Sequence, residues 1–197
     1  MRIFLSLAAW LALLLAPAAA SAGAFEDDVL RELNRLRANP QAFARELRRT
    51  QIAQARYGDD YGGGLRQDDP DAVEEAIDVL MRQPPLPPLD HDSRLAAAAR
   101  SHVRAQGPGG GLGHGAFRDR LRSSGVWAGM TAEGVSYGQV TPRDVVRQLV
   151  VDSGVLSRGH RHDILSRGYQ AAGVACGPHA RWGSMCVIDY AGAIMKR

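Results

Sequence analysis

The sequence predicts an α+β layered domain, not a parallel doubly wound sheet. Apolar residues recur at helical spacing through most of the chain before residue 152, and β-favouring runs gather after it. Those late runs form one two-cysteine hairpin, with no alternation of strand and helix around them. No internal repeat is visible.

The elements follow in order. Arg2 gives a short positive start, Ile3 to Leu15 is apolar except for Ser6, and Ala20-Ser21-Ala22 has the small residues of a cleavage site. Residues 1–22 therefore read as an export signal, and residues 23–197 as a single domain that is secreted or periplasmic. The apolar run is too short for a comfortable membrane span, and no later segment could cross a bilayer.

From Asp27 to Arg49 the stripe Leu30, Leu33, Leu36, Phe43, Leu47 predicts two short helices or one kinked at Pro40. Tyr57 to Pro70, rich in Gly and Asp, reads as a surface loop. Ala72, Val73, Ala76, Ile77 and Leu80 mark the next helix, with Asp71 as its expected cap. Pro84 to Leu89 must be extended, since each proline disfavours helix in the residue before it.

Asp92 or Ser93 then caps a helix through Val103. Its four consecutive alanines leave room for a close neighbour. Gly107 to Gly113 is a loop that delivers His114, and Phe117 to Arg122 forms a short helix. Thr141-Pro142-Arg143-Asp144 starts another helix, with Val145, Val146, Leu149 and Val150 as its buried face. Tyr169–Cys176 and Met185–Ala191 form the antiparallel hairpin. Two cysteines in an exported chain read as one disulfide, Cys176–Cys186.

The charge balance argues against a nucleic-acid partner. Lys and Arg number 24 against 21 Asp and Glu, and Arg2 leaves with the signal. The remaining basic residues are arginines interleaved with acids, apart from Lys196, and form no phosphate-binding stripe.

The candidate chemistry lies in His114, Glu133 and His160. Two imidazoles and a carboxylate, each beside glycine or turn sequence, suit either a metal site or an acid/base site. Gly159 before His160 and Asp163-Ile164-Leu165 after it suit a turn or short helix. There His160 and His162 diverge, so His160 is retained and His162 is expected to be exposed. Glu133 could fix a histidine tautomer, act as a base, or ligate a metal. Gly134-Val135-Ser136-Tyr137-Gly138 matches the G-x-S-x-G nucleophile elbow, with Asp152 and His160 following in esterase order. The helix that an elbow needs directly after Ser136 starts only at Thr141, so Ser136 is the lesser candidate.

Taken together these segments resemble the CAP superfamily (SCP domain; cysteine-rich secretory proteins, antigen 5 and plant pathogenesis-related proteins), especially its secreted bacterial branch. The matching segments are Asn34 to Pro40, Pro85 to Leu89 with Leu95 to Ala99, Gly113-His114, Ala132 to Gly138, Ser157 to Leu165 and Cys186 to Ala191. The resemblance implies one α-β-α sandwich with an antiparallel sheet and an open cleft. It places His114, His160 and Glu133 in that cleft, with His114 and His160 as ligands for zinc or another divalent ion and no organic cofactor. Asp152 is the nearest acid to the second cleft carboxylate of some members, and Gly134 stands where an asparagine usually follows the glutamate. A small ligand, lipid or protein at the cleft of a monomer is implied. Enzymatic activity, whether a metal-assisted hydrolase with Glu133 as base or a serine esterase through Ser136, is not a general property of such proteins.

Overall fold

The computed structural model describes residues 22–57 and 68–195, without the side chains of Ala22, Gln54 and Tyr57. The export signal expected over residues 1–22 lies outside the described residues apart from Ala22. The loop expected between Tyr57 and Pro70 lies outside them over residues 58–67.

Pro40 splits the first stripe into two helices, α1 (Ala22–Ala38) and α2 (Pro40–Tyr57), with Asn39 between them. Proline is tolerated as the first residue of α2 because the amide it lacks would have no intrahelical partner there. Arg35 joins the two helices by bonding Glu32 and Glu46. Helix α3 (Pro70–Arg82) buries the five predicted residues, but its cap is Asp69, whose carboxylate accepts from the Asp71 N–H. Asp71 instead sits in the first turn, because Pro70 takes the first helical position.

The proline-rich segment is pinned to α1. Asn34 exchanges hydrogen bonds with both backbone groups of Leu89, and Arg37 donates to Pro87 O, Ile164 O and Ser166 O. The segment ends in a two-residue strand that the sequence reading lacked, β1 (Asp90–His91), followed by α4 (Ser93–Gln106) capped by Asp92. Then come α5 (Phe117–Ser123), β2 (Thr131–Tyr137), α6 (Pro142–Val151) capped by Thr141, α7 (Gly159–Ile164), β3 (Ala171–His179) and β4 (Gly183–Ala191).

The strands order as β1-β3-β4-β2. β2, β3 and β4 are antiparallel, whereas the short β1 joins the edge parallel to β3. Cys176 and Cys186 lie directly opposite each other and are disulfide-bonded, as expected.

Strand alternation builds two cores. Ala172, Val174, Ile188 and Tyr190 pack with the apolar faces of α1, α2, α3 and α6. Ala175, Val187 and Val135 face the other way, toward Ala99 and Val103 of α4. Leu121 of α5 joins α4 through Leu95 and Ala98. The result is an α-β-α sandwich. The alanine run in α4 meets β3 at Gly173, where a Cβ would lie 2.0 Å from Ala96 N. No helix among the described residues is long and apolar enough to cross a membrane.

Candidate functional site

The site straddles β2, the outer strand of the sheet, and takes one histidine from each helical layer. His114 arrives on the glycine loop between α4 and α5. Gly113 and Gly115 bracket it at φ +89° and +52°, a left-handed backbone that suits glycine. The loop is held from beneath. Gly113 O accepts from His102 Nε2 and Gln106 Nε2, and Gly113 N donates to the Tyr137 hydroxyl. His179 Nε2 donates to Gly111 O while its Nδ1 accepts from Trp182 N, which fixes that tautomer.

Glu133 points from β2 toward the α4/α5 layer and is not the exposed turn carboxylate its glycine neighbour suggests; only 5% of the residue is exposed. One carboxylate oxygen accepts from His114 Nδ1 at 3.0 Å, and the other accepts from Arg120 of α5. Arg120 also donates to His114 O, so one guanidinium braces both partners. Burial alone would raise the Glu133 carboxyl, but the bonds from His114 and Arg120 hold it below its ordinary value. The same bond, to a half-exposed ring, raises His114 against the opposing effect of burial. Burial pushes His102, deeper in the same layer, down.

His160 comes from the opposite layer. Helix α6 ends at Asp152, which adopts a left-handed conformation (φ 56°) that aspartate tolerates. Its carboxylate accepts from His160 N at 2.9 Å and His160 Nδ1 at 2.7 Å. A carboxylate at the start of α7 also complements the partial positive charge of a helix N-terminus. Gly134, on the α6 side of β2, leaves open the space next to His160: a Cβ there would lie 3.7 Å from its ring.

The two rings converge, with centroids 6.2 Å apart and planes tilted by 48°. His114, Glu133 and His160 therefore form one constellation, and Asp152 belongs to it as the partner of His160. His162, one residue past the buried Arg161, is exposed as expected. Ser136 is not a nucleophile elbow. It is 1% exposed in mid-strand and donates to Gln148 Oε1 at 2.6 Å, with no hydrogen bond to either histidine among the described residues.

Arg120 and Asp189 were not read from the sequence. Arg120 looked like one of several interleaved surface charges. Asp189 carries the clearer signal, a lone acid inside the apolar run Val187-Ile188-Asp189-Tyr190.

Among the described residues, no three His, Cys, Asp or Glu side chains form a ready-made metal cage. The donor chemistry nevertheless fits a two-histidine ion site. Each Nδ1 is held by a carboxylate, and each Nε2 has no hydrogen-bond partner among the described residues. That carboxylate–imidazole relay is how metal-binding histidines are usually oriented.

No curated protein matches the sequence. Several solved structures are similar, among them the following three. An extracellular SCP-domain protein from Bacillus anthracis is 18% identical, with 67% of this chain and 45% of that one covered and a TM-score of 0.44. An outer surface protein from Borrelia burgdorferi is 15% identical, with 64% and 88% covered and a TM-score of 0.45. A cysteine-rich secretory protein from Staphylococcus aureus is 21% identical, with 68% and 41% covered and a TM-score of 0.42. The chain thus spans less than half the length of the first and third. The profile of the cysteine-rich secretory protein family, CAP, matches residues 30–190, a stretch that contains both histidines, Glu133, Asp152 and the disulfide. This chain belongs to the CAP family.

Proposed function

We propose that this is an exported CAP-domain protein whose cleft binds a divalent ion, zinc first among them, between His114 and His160. The ion and the surrounding cleft would receive a small ligand, a lipid or a protein partner. One observation carries the reading: both imidazoles are anchored through Nδ1 by a carboxylate, and neither Nε2 has a hydrogen-bond partner among the described residues. Zinc bonds such nitrogens at about 2.0–2.1 Å, and the ring spacing of 6.2 Å needs only a modest closure for both to share it. A bound ion would supply Lewis-acid polarisation of a ligand oxygen. Glu133 and Asp152 contribute by fixing tautomer and ring orientation.

A hydrolase is the weaker reading. A general base must reach the proton it removes, yet the Glu133 side chain is 1% exposed and both its oxygens are engaged. Export is supported by the composition of residues 1–22 and by the disulfide, which persists in the periplasm or the medium.

Calorimetric zinc titration tests the ion site. The wild type should bind zinc, and His114→Ala and His160→Ala should each lose at least about tenfold in affinity. Equal affinity in all three proteins would remove the site.

A further inference from the structure

Asp189 lies in β4 directly opposite Glu133 of β2, and strand alternation sends both side chains to the α4/α5 face. It is 0% exposed, and neither of its carboxyl oxygens accepts a hydrogen bond among the described residues. The nearby cation offers no remedy. Arg120 gives its two terminal nitrogens to Glu133 and to His114 O, and its Nε makes no hydrogen bond among the described residues.

An ionised Asp189 would be a bare, dehydrated charge facing a second carboxylate. Burying an unpaired carboxylate is so costly that the group takes up a proton instead. When two carboxyls share a buried site, one keeps that proton. The donors decide which. Glu133 receives an imidazole and a guanidinium, both of which favour its ionised form. Asp189 receives none, and once protonated its O–H has an acceptor across the strand pair.

We propose that Asp189 is a positioning residue of the cleft: its carboxyl stays protonated and donates a hydrogen bond to Glu133, fixing the carboxylate that orients His114. Burial, and next the charge of Glu133, both push the Asp189 carboxyl well above its ordinary value, in agreement with this arrangement. Glu133 then takes three donors, from His114, Arg120 and Asp189. Its orientation is fixed, His114 keeps its proton on Nδ1, and Nε2 keeps its lone pair for an ion. The effect on ion affinity rests on the two-histidine reading above; the hydrogen bond does not.

The test uses the purified, 13C-labelled protein. The Asp189 carboxyl carbon, assigned by its loss in Asp189→Asn, should resonate as a carboxylic acid at pH 7. A carboxylate shift at that pH would overturn the proposal. In zinc titration, Asp189→Asn keeps a donor and should stay within about twofold of wild type, while Asp189→Ala should weaken binding about tenfold. Zinc affinity in Asp189→Ala equal to wild type would overturn the positioning role. A large loss in Asp189→Asn would do the same, since it would mean that the acid acts through its charge. If the wild type takes up no zinc while its Asp189 carboxyl is protonated, the ion reading fails and the hydrogen bond stands. Should Asp189→Ala not fold, the wild-type carbon shift and the Asp189→Asn titration still decide.

Discussion

Glu133 and Asp189 face each other across one strand pair, and their neighbours drive them in opposite directions. Two strong donors hold Glu133 low, while Asp189, without a donor, is raised. The sign for stability follows. A raised carboxyl holds a proton in the folded state that the unfolded chain loses above about pH 4, so its contribution falls as pH rises from there. Glu133 acts in the other sense, its contribution being lost only as pH falls through its lowered value. Asp189→Asn removes the first effect alone. Denaturant unfolding at pH 4.5 and 7 should show this variant gaining stability relative to wild type at the higher pH; a constant difference would contradict it. At this scale the sequence showed His114, His160 and Glu133, because glycine and turn residues mark them. It showed Asp152 faintly and Arg120 not at all. A guanidinium serving a site and one facing solvent have the same local sequence.

The elements were mostly legible because their stop and start signals are local. Thr141-Pro142, Asp92, and the apolar stripes of α1, α3 and α6 all behave as capping and periodicity require. Asp71 lost the capping role to Asp69 because the proline between them fixes the first helical position. Strand β1 has only two residues and exists because β3 lies alongside it, so no pattern within it could announce it. The hairpin carries a further dependence. Its tip holds the His114 loop through His179 to Gly111 O and Ala180 N to Gly107 O. Reducing Cys176–Cys186 should cost about 2.5–3 kcal/mol of stability. Hydrogen exchange should then show residues 177–185 losing protection first and the glycine loop next, with the α7 segment around His160 unchanged. Unaltered melting with both thiols shown to be free would contradict this.

Across the whole molecule the sandwich depends on a few close approaches between layers. The α4 backbone rests on Gly173, where a side chain would overlap Ala96 N and Leu95 C. Gly173→Ala should therefore cost about 3 kcal/mol or more in chemical denaturation, well above an ordinary surface change. A loss below about 0.5 kcal/mol would show that the layers can separate freely. The alanine run announced that something would pack closely there, but not that the partner would be a glycine almost eighty residues later. By itself the sequence determined the helices, the hairpin, the disulfide pairing and the residue types of the cleft, since each rests on spacing, capping or turn chemistry within a short stretch. The tertiary structure alone decided that the two histidines come from opposite layers and meet over an edge strand, each backed by its own carboxylate. It alone set a buried acid opposite Glu133. Such contacts depend on strand register and layer packing, and those are fixed only when distant parts of the chain exclude water together.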